Sequence, residues 1–498
     1  MAKAQGYVAV DLGAGSGRVE LLTFDGSRLG LEEVHRFPNG PVRVHNTLYW
    51  DALRLWTEIR QGLARASDVG AAEVVSVGVD TWGVDFALLD AHGDLLANPV
   101  CYRDRRTEGM LEAAIERVGR TAIFEATGVQ FLSLNTLYQL LALVQRRSPL
   151  LEVAETLVMM PDLVNYWLSG AKVCEFTNAT TTQFYNPRSQ EWAWSLLRQL
   201  GLPTRLLPEV VRPGTPLGGL RPDVAEETGL AGVTVVAPAT HDTASAVAAV
   251  PARSARYAYV SSGTWSLIGA ELAEPRIDAA TLRANFTNEG GVDGTIRYLK
   301  NAAGFWLVDE CRREWARQGR HFTHQDLVEL AESATPLLSF VDVDHPAFLL
   351  PSDMPAAIRA ECARTGQPVP TDEGALVRCI LESLALKYHS VLGTLQALLG
   401  SQLEAIHVVG GGARNSLLCQ MTADVTGLPV MAGPVEATAI GNAIVQMLAL
   451  GAIGSLREGR ELVRRSFEIA TYRPRPSVAW VEAVARFARL YPASLQTV

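Results

Sequence analysis

The chain has 498 residues, 48% hydrophobic and 19% charged, a globular composition that suggests roughly three domains or two large ones. Its formal charge of −9 argues against nucleic acid or anionic membrane as the main partner, because both select a basic surface, and no Lys/Arg run or basic-aromatic stripe offsets it. Six scattered cysteines without a C-x-x-C pair read as reduced, buried thiols, not as a disulfide frame or zinc site.

In chain order, Tyr7–Val10 is predicted as a short apolar strand, DLGAGSGR as a glycine turn, and Val19–Phe24 as a second strand ending at the turn pair Asp25-Gly26. Asp11 interrupts the first apolar run, so no signal-peptide core forms, and a soluble, cytoplasmic protein is expected. A glycine turn from strand to strand excludes the Rossmann fingerprint and the P-loop, both of which open a helix. It still binds phosphate when successive backbone N–H groups form a nest. Val74–Gly83 and Phe86–Asp90 read as further strands, Asn135–Gln145 and Met160–Leu168 as helices, and the Pro/Gly-rich residues 203–222 as surface loop. Val233–Pro238 is a buried strand leading to Thr240-His241-Asp242.

A unit like the first returns as Tyr257–Val260 followed by SSGTWSLIGAEL. Laid over VDLGAGSGRVELL, it places Gly263 on Gly13 and Ser266 on Ser16, which implies two lobes of like topology facing each other across a cleft. Further on, Thr371 is the expected cap of a long helix ended by Gly400, and Ala405–Val409 is a strand running into Gly410-Gly411-Gly412. Asn415 then caps a helix to about Thr426, with Gly427 at its stop. Ala437–Leu456 carries no formal charge, but Asn442, Gln446 and its glycines make it a buried helix rather than a membrane span. Both halves are mixed α/β.

Phosphoryl transfer needs phosphates held in line, Mg²⁺ to neutralise charge, and a base for the attacking hydroxyl. Asp11, beside the first glycine turn, can hold Mg²⁺ through water or can be an Asx-turn residue. Gly13, Gly15, Ser16 and Gly17 let backbone approach a phosphate, and Arg18 either adds charge or faces solvent. Trp82, after Asp80 and Thr81, is a platform for a sugar face or simply core. The cluster Arg103–Arg106 reaches a polyol or is a solvated loop. Asp242 lies at a strand–helix junction, where open α/β sheets bind ligands, and can take a hydroxyl proton or cap the helix that starts at Thr243. His241 by itself reads as a packing residue. Gly263 and Thr264 meet a γ-phosphate or form an ordinary hairpin, and Gly410–Gly412 receive a nucleotide or form a tight turn.

Together, DLGAGSGR, TWGVDF, YRDRRT, QFLSLNTLYQL, NATTTQ, THDTASAV, SSGTWSLIG, KNAAGFWL, VGGGARN and AGPVEATAIGN resemble, in order and from about residue 7 to about residue 473, the rhamnulokinases among the FGGY carbohydrate kinases. The resemblance implies an α/β, two-lobed actin-like ATPase (ribonuclease H-like) sugar kinase fold with an interlobe active-site cleft. Residues 1–247 would form the N-terminal lobe with the sugar site, phosphate site and base, and residues 248–498 the ATP-binding lobe. The ATP-phosphate loop then falls on Ala14, Gly15, Ser16, Gly17 and Arg18, a second phosphate contact on Thr264, and the adenosine loop on Gly410, Gly411 and Gly412. Gly83, His241, Asp242, Thr243 and Asn301 fall on sugar contacts, Asp242 being the catalytic base, and Asp11 remains the metal candidate. The implied reaction converts ATP and L-rhamnulose to ADP and L-rhamnulose 1-phosphate with Mg²⁺, in rhamnose breakdown. Another ketose or polyol, or a non-catalytic ATP- and sugar-binding regulator, are the alternatives. Two positions depart from the family: Gly15 stands where relatives carry Ser, and Asp309 where a Gln is associated with ATP.

Overall fold

Residues 4–70, 72–349 and 351–492 are described by the computed structural model, and a hairpin is the starting unit of each half. In the first half, β1 (Gln5–Leu12), β2 (Ser16–Phe24) and β3 (Leu29–Pro38) form an antiparallel meander. All of β1 after its first residue is buried, because both faces of the sheet are covered, and it therefore reads as a continuous apolar run. On its other edge β1 takes β4 (Glu73–Thr81) in parallel. Two more strands, β5 (Thr215–Gly219) and β6 (Thr234–Ala237), complete the order β5-β6-β4-β1-β2-β3, with β5 antiparallel at the edge. The segment 203–222, expected as loop, thus contributes an edge strand. Pro216 is tolerated there next to a register shift, since an edge strand can lack a ladder N–H.

The second half repeats the plan. The hairpin of β7 (Tyr257–Ser262) and β8 (Trp265–Leu272) is extended by β9 (Thr287–Gly290) and β10 (Ile296–Ala303). On the other side of β7, β11 (Ala405–Val409) and β12 (Val430–Ala432) run parallel, and β13 (Ala470–Tyr472) closes the order β9-β10-β8-β7-β11-β12-β13. The internal repeat is therefore one of topology. Its alignment needs a shift, because the second turn is one residue shorter. The last cross-strand pairs are Leu12 with Gly17 and Ser262 with Ser266, so Ser266 holds the register of Gly17 rather than Ser16.

Of five helices, α1 (Asp242–Ala248), α2 (Trp306–Arg317) and α5 (Ala437–Ala449) put residues on the cleft, while α3 (Glu373–Leu399) and α4 (Ser416–Thr426) do not. The cap of α3 is Asp372, not Thr371, because the Asp372 carboxylate accepts the Ala375 N–H at 2.8 Å. Asn415 caps α4 as its type predicts, accepting the Leu418 N–H at 2.8 Å. Asn415→Ala is expected to lower stability by about 1 kcal/mol, read as a shift in the denaturant midpoint at constant slope. Helix α5 is shorter than the uncharged stretch that announced it, and among the described residues no helix is long and apolar enough to cross a membrane.

Helix α5 belongs to the second half by sequence but lies against the first sheet. Gln446 donates to Val8 O at 3.0 Å and accepts from Ser76 Oγ at 2.6 Å, while Asn442 donates to Gly78 O at 3.2 Å and Asp80 Oδ2 at 2.5 Å. The polar residues that interrupt its apolar run thus satisfy buried groups of β1 and β4. The six cysteines are buried and free.

Candidate active site

The two hairpin turns border one cleft of about 640 Å³. Asp11, Ala14, Gly15, Ser16, Arg18, Gly83, His241, Asp242, Thr243, Thr264, Asn301, Gly410 and Gly411 all line it. Gly17 and Gly412 stand behind the wall. A Cβ on Gly17 would lie 2.2 Å from the Phe37 ring, and one on Gly412 2.1 Å from the Ser262 hydroxyl, so packing requires glycine at both. Nothing lies within 4 Å of a Cβ on Gly15, so the serine of the family pattern would fit there.

The parallel pairing of β1 with β4 sets Asp11 beside Asp80. Burial, with Asp242 and Glu436 adding repulsion, pushes the Asp11 carboxyl up to about 6 against the pull of Arg18 at 4.0 Å. Asp80 is fully buried and is pushed well above the usual carboxylate range, first by burial and then by Asp11. Its Oδ1 has no hydrogen-bond partner among the described residues. Arg18 also pairs with Glu436, which in turn pairs with Arg414 at 3.0 Å. Glu436 precedes α5, and nothing in its local sequence marks it as a cleft residue. Hard oxygen donors with surplus negative charge suit a divalent ion such as Mg²⁺. Among the described residues no three His, Cys, Asp or Glu side chains gather to hold a metal, so Asp11 would share the ion with water and phosphate oxygens.

Asp242 is held by the chain before it. Glu175 accepts from Thr240 N at 3.0 Å and Thr240 Oγ1 at 2.7 Å, and Thr177 Oγ1 accepts from His241 N at 3.0 Å. Thr81 N donates to Thr240 O at 2.9 Å, tying the junction to β4. The cap position of α1 is His241, and Asp242 is the first residue of the helix. Asp242 Oδ1 accepts from Thr243 N at 2.5 Å and Thr243 Oγ1 at 3.1 Å. Its Oδ2 accepts no hydrogen bond from the described residues, and the side chain keeps 30% of its surface exposed. A carboxylate with one anchored and one open oxygen is arranged to receive a proton from a bound hydroxyl.

Other residues resolve differently. Trp82 is 6% exposed, stacks 4.2 Å from Trp50 and donates to Asp85 at 3.0 Å, so it is core with an edge on the cleft. Within the cluster Arg106 is buried on Gln139 at 2.6 Å and Arg103 lies 3.8 Å over the Trp306 ring, whereas Arg105 is 77% exposed to solvent; none of the three lines the cleft. Val84, next to Gly83, has φ +69°, a conformation that strains a β-branched residue. Its N–H is accepted by Thr181 Oγ1 at 3.1 Å, and its carbonyl accepts from Thr136 Oγ1 at 2.6 Å and Gln139 at 3.2 Å. Gln130 Oε1 accepts from the Asn301 N–H at 2.9 Å and its side-chain amide at 3.2 Å, which orients Asn301. Asp309 does line the cleft, 3.5 Å from Arg312, which offsets its charge, and 3.6 Å from His324, whose ring is held below the usual imidazole range by burial and by Arg312.

Residues 6–249 match the model of the FGGY family of carbohydrate kinases, N-terminal domain, and residues 258–450 that of the C-terminal domain of the same family. The rhamnulokinase of Bacteroides thetaiotaomicron is 45% identical over 483 residues, covering 97% of this chain and 99% of its own. That of Pectobacterium atrosepticum is 44% identical over 473 residues, covering 94% and 93%. The crystal structure of Plasmodium falciparum glycerol kinase with ADP is similar in fold, with a TM-score of 0.78 at 13% identity, over 100% of this chain and 99% of that one.

Proposed function

The chain belongs to the FGGY family of carbohydrate kinases, phosphotransferases of the two-lobed actin-like ATPase fold, and from that premise we propose that it phosphorylates L-rhamnulose at C1 with Mg·ATP, in the cytoplasm, as a step of L-rhamnose breakdown. The sugar is supported by relatives named rhamnulokinase that align over nearly the whole chain. The chemistry is supported by one observation: Asp242 Oδ2 is left without a donor, on a residue of the cleft that both glycine hairpins border.

In this reading, Asp242 Oδ2 takes the proton of the C1 hydroxyl as that oxygen bonds to the γ-phosphorus. The bond from the γ-phosphorus to the β–γ bridging oxygen breaks, and ADP leaves. Backbone at Ala14–Arg18 and Thr264 holds the phosphates from opposite sides, and Gly410–Gly412 receive adenosine. Gly83, His241, Thr243 and Asn301 orient the sugar. Asp11, together with water, would hold Mg²⁺, which would supply neutralisation of phosphate charge. Residues 1–247 act as the sugar lobe and residues 248–498 as the nucleotide lobe.

An assay of ADP release across L-rhamnulose, L-fuculose, L-ribulose, D-xylulose and glycerol tests this. L-Rhamnulose is expected to give the highest kcat/KM by about tenfold or more, since a site that pairs sugar hydroxyls rejects analogues that leave its polar groups unpaired. Equal values on D-xylulose would overturn the sugar assignment and keep the family.

A further inference from the structure

Beside Asp242 lies a buried charged group that the reaction above does not use, with Glu289 on the wall of the same cleft. Cross-strand pairing of β9 with β10 puts Glu289 opposite Arg297, and both converge on His241. His241 is 7% exposed, Glu289 4% and Arg297 0%. Arg297 Nη2 lies 2.9 Å from His241 Nδ1 and 3.1 Å from Glu289 Oε2, and Arg297 Nε donates to Gly290 O at 2.8 Å. Glu289 Oε2 is 3.4 Å from His241 Nδ1 and makes no hydrogen bond of normal geometry among the described residues. On the opposite side of the ring, His241 Nε2 is 3.5 Å from Asp242 Oδ1.

A guanidinium has donors and no acceptor. A proton on Nδ1 would therefore point at the N–H of Arg297 across 2.9 Å, whereas a bare Nδ1 accepts that N–H. The ring's single proton then sits on Nε2, the edge that faces Asp242. Glu289 Oε2 stands 3.1 Å from Arg297 Nη2, so an anion compensates the buried guanidinium. We propose that Arg297 and Glu289 are positioning residues that fix His241 as the Nε2–H tautomer, so that Asp242 Oδ1 is faced by Thr243 N, Thr243 Oγ1 and His241 Nε2 while Oδ2 alone takes the sugar's proton. The kinetic part of this inference rests on Asp242 being the base, and the tautomer does not.

The tautomer is read directly from long-range ¹H–¹⁵N correlations of ¹⁵N-histidine-labelled protein at neutral pH, with His241 assigned by His241→Gln. The expected pattern is Nε2–H. In Arg297→Met, Glu289 becomes the partner of Nδ1 and the pattern should switch to Nδ1–H. The kcat on L-rhamnulose should then fall about 10- to 100-fold, as loss of an orienting outer partner does elsewhere, with KM within about threefold. The double variant Arg297→Met with Glu289→Met removes that acceptor, leaves Asp242 as the carboxylate facing the ring, and should return the Nε2–H pattern and most of kcat. If Arg297→Met does not fold, Arg297→Lys keeps a donor and the charge, and should keep both Nε2–H and near-normal kcat. An Nδ1–H or imidazolium pattern in the unsubstituted protein, or a folded double variant as slow as the single one, would overturn the proposal. Failure to phosphorylate any ketose removes the kinase reading and leaves the spectrum to decide the tautomer.

Discussion

Asp242→Asn is expected to lower kcat on L-rhamnulose by about 10² to 10⁴-fold while leaving ATP affinity within a few fold. The substitution is nearly isosteric. Its side-chain oxygen can keep the Thr243 N and Thr243 Oγ1 bonds at Oδ1, so the backbone at the start of α1 has no reason to move. What disappears is the open oxygen, replaced by an N–H₂ that cannot accept a proton. The hairpin turns and the glycines at Gly410 and Gly411 are untouched, which is why nucleotide binding should survive. Single-turnover rates together with calorimetric ATP titration separate the two effects. A kcat within tenfold of the unsubstituted enzyme would remove Asp242 from the base role.

Gly441→Ala should be the most damaging small substitution outside the cleft. Helices α1 and α5 cross there so closely that an added Cβ would fall 1.7 Å from Ser245 O and 2.6 Å from Ser245 C. Both obstacles are backbone, so no rotamer change relieves the clash, and the helices must separate. Overpacking of this kind costs about 1–3 kcal/mol and sometimes more. The separation also has a direction. Helix α1 begins at Asp242 and α5 follows Glu436, so moving the crossing moves two cleft residues together. A lower melting temperature and a reduced kcat are both expected. Gly393→Ala is the control: it lies within α3, nothing is within 4 Å of the added Cβ, and helix propensity favours alanine there by about 0.5–1 kcal/mol. Equal melting temperatures for the two variants would refute the packing argument.

The features that sequence reveals here are those decided within a few residues. Asn415 and Gly427 bound α4 because a side-chain cap and a left-handed stop act locally. The two hairpins and the Thr240-His241-Asp242 junction stand out for the same reason. The long cap was misplaced by one residue because Thr371 and Asp372 are both good capping types, and only the geometry chooses between them. The strand Thr215–Gly219 was hidden by its proline and glycines, which are tolerated only because it lies at an edge. Contacts made across the fold leave no local trace. Glu289 and Arg297 look like ordinary strand charges until His241 packs on them, and Asp309 looks repulsive until Arg312 stands beside it. The strain at Val84 is imposed by Thr136, Gln139 and Thr181, all distant in the chain.

The carboxylate that Glu436 places on Arg18 already resembles a phosphoryl oxygen in charge and shape. If the phosphates of ATP bind at this turn as proposed, one of them would meet a guanidinium already paired with a carboxylate, so binding there would exchange one anion for another. Such a swap of one anion for another releases few counterions, so affinity for nucleotide should vary only gently with ionic strength. It would also free Glu436 as the turn loads, loosening a contact between residues far apart in the chain.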